Sequence, residues 1–205
     1  MLSVPNGLTL YFARHGQTEA NVEKRFQGHS IDTPLTDTGV QQARDLAAIL
    51  RANVSPPQEL DFVCSPLERA QATMEIIRET LDLPPDGFRT DPRLIEIDLG
   101  AWDGLTDAEA RARYPKEFAA RAADKWNVPP PGSRENYAAV AKRMSGFVED
   151  LGRDTFAVSH GAATRILRGL FAGMNWQQMS ALDEPQGCVF RVVGSDVVRL
   201  DPSAS

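Results

Sequence analysis

The sequence is poor in cysteine and histidine, short of positive charge, and without a long apolar run. Its two cysteines, Cys64 and Cys188, match no metal-ligand or redox spacing, so neither a zinc site nor a disulfide framework is predicted. Buried thiols suit a reducing compartment, and the chain is expected in the cytoplasm. No stretch approaches the ~18 apolar residues that span a bilayer. The start, Met1–Leu8, has neither the basic region nor the apolar core of an export signal. Lys and Arg total 22 against 28 Asp and Glu, a formal charge of −6. That balance argues against nucleic acid as a partner, and any anionic ligand needs positive charge gathered locally.

What is present is an ordinary globular composition over 205 residues, 42% hydrophobic and 24% charged, without repeats or low-complexity linkers. One domain over residues 1–205 is expected. Leu8–Ala13 is a nearly continuous β-prone run, which predicts a strand covered on both faces. It ends in Arg14, His15 and Gly16. Thr36 is a candidate N-cap for a helix to about Ala52, with Val40, Ala43, Leu46, Ala47 and Leu50 on one face. Leu60–Cys64 is a second short strand, after which Ser65 and Pro66 predict a helix start burying Leu67, Ala70, Met74, Ile77 and Leu81. Leu83–Pro92 reads as a turn and Arg93–Leu99 as an irregular strand. Residues 105–126 are helical but weakly amphipathic, broken at Pro115. Ser133 is expected to cap a helix from Glu135 to about Leu151. Thr155–Val158 is a third strand, Ala162–Phe171 a helix, and Cys188–Val193 with Asp196–Leu200 a terminal hairpin. Strands alternating with helices predict a three-layer α/β/α fold around a mainly parallel sheet. The stretch 100–131 stands outside the alternation and is read as a helical lid. The hairpin offers an edge on which a second copy could pair as a homodimer.

Three strand ends carry the chemistry. The first gives Arg14-His15-Gly16, the second Cys64-Ser65-Pro66 with Arg69 shortly after, the third Ser159-His160-Gly161. If the strands are parallel neighbours, Arg14, His15, Arg69 and His160 converge on the carboxyl edge, where open α/β sheets bind ligands. Two guanidiniums and two imidazoles in one crevice suit a compact dianion, with helix N-termini adding backbone donors. Neighbouring cations also disfavour a protonated imidazole, leaving it a nucleophile toward phosphorus. The acidic residues near these ends are scattered and lack metal-ligand spacing, so no metal or other cofactor is implied. His29 reads as a solvated loop residue, and Trp102 and Trp126 as lid packing.

These residues resemble the signature blocks of the histidine phosphatase superfamily, the phosphoglycerate mutase-like fold. Arg14-His15-Gly16-Gln17-Thr18-Glu19-Ala20-Asn21 is similar to its first block. Gln27-Gly28 with Asp32, Pro34, Leu35, Thr36 and Gly39 follows, then Ser65-Pro66-Leu67-Glu68-Arg69-Ala70. Leu94-Ile95-Glu96 with Gly100-Ala101-Trp102-Asp103-Gly104 and finally Ser159-His160-Gly161 complete the order. The resemblance implies His15 as the residue that becomes phosphohistidine. It implies a phosphate clamp of Arg14, Arg69 and His160, helped by Asn21, by Gln27 or Gly28, and by the backbone of Gly161 or Ala162. It implies Glu96 as general acid and base; the residues alone leave Glu96 and Asp98 open, since both project to one face of the expected strand.

The activity implied is metal-independent hydrolysis of a small phosphorylated metabolite, such as a sugar phosphate, phosphoglycerate, phosphoserine or the cobalamin nucleotide-loop phosphate. The alternatives are a cofactor-dependent phosphoglycerate mutase and, less favoured with His15 and Glu96 both present, a phosphate-binding pseudoenzyme. Mutases of the family carry a long insertion with paired arginines that hold a second anionic group. Arg111, Arg113, Lys116, Arg121 and Lys125 include no adjacent pair, and Pro131-Gly132-Ser133 resembles the phosphatase branch, so hydrolysis is expected.

Overall fold

The computed structural model describes residues 1–202. Its elements run β1 (Thr9–Arg14), α1 (Glu19–Val22), α2 (Asp37–Asn53), β2 (Asp61–Cys64), α3 (Glu68–Thr80), β3 (Arg89–Thr90), α4 (Asp107–Arg113), α5 (Pro115–Ala123), α6 (Tyr137–Glu149), β4 (Thr155–Ser159), α7 (Gly161–Phe171), α8 (Trp176–Ala181), β5 (Val189–Val193) and β6 (Asp196–Leu200). The sheet has the order β3-β2-β4-β1-β5-β6. β1, β4, β2 and β3 are parallel, and β5 and β6 are added antiparallel.

Two apolar layers cover the sheet, and strand alternation assigns each side chain to one of them. Leu10, Phe12 and Ala157 face α6 and α7 with Val140, Met144, Ala163 and Ile166. Tyr11, Ala13, Phe156 and Val158 face α2 and α3 with Leu46, Leu50, Ala70 and Met74. Burial on both faces explains why β1 and β4 are continuously apolar rather than alternating. The expected three-layer arrangement is therefore the observed one, with β6 as an open edge.

Several element boundaries differ from the sequence expectation. α3 begins at Glu68, because the Ser65 hydroxyl accepts from the Leu67 amide and holds Ser65–Leu67 as a turn before the helix. Its buried face keeps Ala70, Met74, Ile77 and Leu81, while Leu67 is only half-buried. α6 begins at Tyr137, since Asn136 accepts from the Ala139 amide and takes the cap position in place of Ser133. Arg93–Leu99 makes no strand. A 3-10 turn at Pro92–Leu94 is followed by extended chain, and the pairing strand is β3, inside the stretch expected to be a turn.

Candidate active site

Register brings the two histidines together. In the parallel β1–β4 pair, Arg14 lies opposite Ser159, so the next residues, His15 and His160, leave the sheet side by side. The His15 amide donates to the Ser159 carbonyl at 3.0 Å, and the two imidazole centroids stand 5.1 Å apart. β2 ends one strand further over, with the Ser65 amide on the Val158 carbonyl. Gly16 is needed at the exit for space rather than for a left-handed turn. A side chain there would run into the Gly39 carbonyl at 2.4 Å, where the start of α2 closes on the loop.

His15 is buried and its Nδ1 lies 2.8 Å from the Gly16 carbonyl oxygen. A carbonyl only accepts, so Nδ1 carries the proton and Nε2 keeps its lone pair. Burial pushes the His15 pKa well below the usual histidine range, and Arg14 and Arg69 push it the same way. His160 is held neutral likewise, by burial first and then by Arg69, His15 and Arg14. Burial, more than the expected charge repulsion, leads in both. Neither ring nitrogen of His160 has a hydrogen-bond partner among the described residues, and the Nε atoms of Arg14 and Arg69 are also buried without one. Buried donors are ordinarily satisfied, so this gathering of unpaired ones marks a place for an acceptor.

Both terminal nitrogens of Arg69, and Nη1 of Arg14, are engaged elsewhere. Arg69 donates through Nη1 to Asp32 Oδ1 at 3.0 Å and the Ile31 carbonyl, and through Nη2 to the Gly28 and Gln27 carbonyls. It both fixes the 27–32 loop and presents Nε. Arg14 donates Nη1 to the Glu184 carbonyl at 2.7 Å, with the Glu184 carboxylate 3.9 Å away.

Glu96 is buried and sits on the N-terminus of α7. Its Oε2 accepts from the Ala162 amide at 3.0 Å, and its Oε1 from the Ala163 and Ile97 amides. The Ala162 amide, expected to face phosphate, is thus held by Glu96. Burial raises the Glu96 pKa and Glu184 raises it further, against the lowering by those amides and Arg69. Asp98 accepts instead from the Gly100 amide in a local turn. The two carboxylates do not share a strand face, and Glu96 is the one that lines the cavity.

That cavity, of about 550 Å³, is lined by Arg14, His15, Asn21, Gln27, Glu96 and Ala162 on the sheet side. Trp102, Phe118, Arg121, Ala122 and Lys125 line it from residues 100–131, the stretch read as a lid. Gly28, Arg69, His160 and Gly161 are buried outside its lining. The Gln27 side chain is engaged by Thr18, Asn21 and Thr33, and Asn21 Oδ1 by Thr18 and Gln186. Trp102 packs between Phe26 and Phe118, and Trp126 against the α6–α7 core. His29 is exposed as expected, though its Nε2 lies 2.6 Å from the Glu96 carbonyl.

Four site residues carried no local sequence signal: Glu184 on Arg14, Gln186 on the His15 carbonyl, and Tyr137 and Arg165 in the cavity wall. Among the described residues, no three His, Cys, Asp or Glu side chains are grouped as metal ligands. No helix of those residues is long and apolar enough to cross a membrane.

A profile of the histidine phosphatase superfamily (branch 1) matches residues 10–196, and the chain belongs to that superfamily. Its phosphatases act through a histidine nucleophile. The adenosylcobalamin/α-ribazole phosphatase of Escherichia coli K12 is 29% identical over 187 residues, covering 88% of this chain and 87% of that protein. A 2,3-bisphosphoglycerate-dependent phosphoglycerate mutase of Azorhizobium caulinodans is 34% identical over 169 residues, covering 77% and 78%. Among solved structures, the α-ribazole phosphatase of Shigella flexneri superimposes with a TM-score of 0.79 at 25% identity over 96% of both chains. A mycobacterial glucosyl-3-phosphoglycerate phosphatase solved with VO3 gives 0.76 at 29% identity, covering 95% and 97%.

Proposed function

We propose that the chain is a phosphomonoester hydrolase of the cytoplasm that works through a phosphohistidine at His15 on a small phosphorylated metabolite. One observation carries this reading: the His15 ring, its Nε2 unprotonated, stands 5.1 Å from that of His160 amid buried polar atoms that lack partners. Nε2 attacks phosphorus in line, while Arg14, Arg69 and His160 take the charge on the equatorial oxygens. Glu96, whose raised pKa favours the acid form, protonates the leaving oxygen and afterwards takes a proton from the attacking water. The cationic and imidazole donors supply the charge stabilisation that a bound metal gives other phosphatases.

Phosphoryl transfer to a second hydroxyl is the other reading, favoured by the mutase relative at 34% identity. Hydrolysis is preferred because the phosphatase structures cover almost the whole chain, 96% and 95% of it. The test is a panel of phosphomonoesters, α-ribazole 5′-phosphate and 3-phosphoglycerate among them, assayed with EDTA present. Release of inorganic phosphate is expected. Isomerisation of 3-phosphoglycerate without phosphate release would select the mutase, and a loss of turnover in EDTA restored by Mg²⁺ would reject the metal-free scheme.

A further inference from the structure

A second carboxylate stands at the site beside Glu96, and the chemistry at His15 does not use it. Glu184 lies in the turn between α8 and β5, and that turn is anchored on both sides of it. Asp183 pairs with Arg168 at 2.8 Å, while Gln186 Nε2 donates to the His15 carbonyl at 2.9 Å and to Asn21 Oδ1 at 3.1 Å. Between these anchors the Glu184 carbonyl accepts from Arg14 Nη1. Its carboxylate pairs with Arg165 at 2.9 Å and stands 3.9 Å from Arg14, lining the cavity together with Glu96. Both acids meet the first residues of α7. Glu96 accepts from the Ala162 and Ala163 amides, and Glu184 Oε2 lies so close over Gly161 that a side chain there would strike it.

Most of what surrounds the Glu96 carboxyl favours its ionised form. The Ile97, Ala162 and Ala163 amides donate to it, two of them at a helix start, where negative charge is stabilised. Arg69 from α3, Arg14 from β1 and Arg165 from α7 act in the same sense. Arg121 and Lys125 line the same cavity with Tyr137. His15 and His160 are held neutral and add no charge, and Arg143 Nη2 and the His29 ring meet the Glu96 backbone carbonyl rather than its carboxyl. Asp98 is engaged by the Gly100 amide. A proton donor has to hold its proton when the ester arrives, and a shell of amides and cations works against that. Burial opposes the shell, and so does Glu184, whose charge stands on the same helix start. The carboxylate is not needed to hold the turn, since the backbone bond to Arg14 and the anchors at Asp183 and Gln186 do so.

We infer that Glu184 is a positioning residue for the proton donor: its carboxylate, fixed over the start of α7 by Arg14 and Arg165, offsets the cations around Glu96 and leaves that carboxyl able to carry a proton. The inference deepens the phosphohydrolase reading and rests on it. Two carboxyl groups that share one site resist ionising together, and the one without an ion pair of its own keeps the proton. Glu184 has that ion pair, with Arg165, and Glu96 has none. Glu184 thus acts through Glu96 and needs no contact with phosphorus or the leaving oxygen.

The experiment follows Glu96 directly, by carbon-13 NMR of protein labelled at the glutamate carboxyl carbon, with the resonance assigned by its loss in Glu96→Gln. Glu184→Gln keeps the size and an acceptor for Arg165 but removes the charge. It is expected to lower the Glu96 titration midpoint by about half a pH unit or more, and to move the alkaline limb of kcat/KM for an alkyl phosphate down equally. Above that limb kcat/KM then falls about threefold or more, while p-nitrophenyl phosphate, whose leaving group needs little protonation, changes far less. Glu184→Asp, which keeps the charge, should retain most of the wild-type midpoint. A turn merely loosened by substitution would slow all esters alike and shift neither midpoint nor limb. A Glu96 midpoint within about 0.2 of the wild-type value in Glu184→Gln overturns the inference, whatever the kinetics. A midpoint that moves without its limb removes Glu96 as the donor, the part of the hydrolase reading on which the inference rests. No turnover of any ester by the wild-type chain removes that reading entirely, and the inference with it.

Discussion

Nδ1 of His15 lies 2.8 Å from the carbonyl oxygen of the next residue, Gly16. The contact fixes the tautomer without a carboxylate, so the reactive nitrogen is set by backbone alone. Gly16 is itself pinned, its amide donating to Thr73 Oγ1 at 3.0 Å, while Thr73 bonds back to the Arg69 carbonyl. His15→Ala is therefore expected to lower p-nitrophenyl phosphate turnover on the order of 10³-fold or more and to abolish acid-labile phosphorylation of the protein. Burst labelling that survives in the variant would place the nucleophile elsewhere.

Glu96 is both a helix cap and the candidate acid, and Glu96→Gln separates the two roles. A glutamine keeps one accepting oxygen but turns an NH₂ group toward a backbone amide, which costs about 1–3 kcal/mol for the donor left unsatisfied. A lower unfolding midpoint is expected on that ground. Kinetically, alkyl phosphates with poor leaving groups should slow by about 10²–10⁴-fold, and activated aryl esters far less. Equal slowing of both classes would assign proton donation to another group, with Asp98 and Glu184 next to test.

The neutral burial of both imidazoles makes stability depend on pH. The pKa values of His15 and His160 in the folded chain lie well below 6.5, whereas the unfolded chain takes up protons near that value. Their contribution is complete above pH 6.5 and is lost as the pH falls toward the folded values, by up to about 1.4 kcal/mol per pH unit for each ring. Glu96 acts in the opposite sense, because its raised pKa makes the folded state the better proton binder as the pH rises past 4.5. Two rings outweigh one carboxyl, so the urea midpoint should fall between pH 7.5 and 5.5. His160→Asn should make that fall shallower. A midpoint independent of pH across this range would contradict neutral burial.

How much of this was legible in the sequence depends on how local its cause is. The convergence of Arg14, His15 and His160 could be read because each ends or follows a strand whose continuous apolar run demands burial on both faces, and neighbouring parallel strands place equivalent ends together. The cap at Thr36 was equally legible, its hydroxyl accepting from the Gly39 amide three residues on. α1, α8 and β3 are shorter than any window in which periodicity accumulates, and they are held by contacts from elsewhere. Arg121 and Lys125 look like solvated charges on a weakly amphipathic helix. They line the cavity in a stretch whose end is tied to the start of α6 by the Tyr137 and Ala138 amides on the Lys125 and Trp126 carbonyls, a contact no local pattern encodes.

Asp32 gives a test of the loop that closes one side of the site. Its carboxylate meets Arg69 Nη1 at 3.0 Å, with the Arg69 side chain fully buried and that of Asp32 17% exposed. Removing one partner of such a pair strands the other charge, so Asp32→Ala should cost about 3–5 kcal/mol, near the upper end for a single substitution. Asp32→Asn, which keeps an acceptor for Nη1, should cost clearly less. Because Asp32 and the Gln27, Gly28 and Ile31 carbonyls together orient Arg69, its free Nε loses its aim when the carboxylate goes. At a temperature where Asp32→Ala is still folded, kcat is accordingly expected to drop about tenfold or more. Wild-type stability and kcat in that variant would mean that the three carbonyls alone suffice to hold the guanidinium.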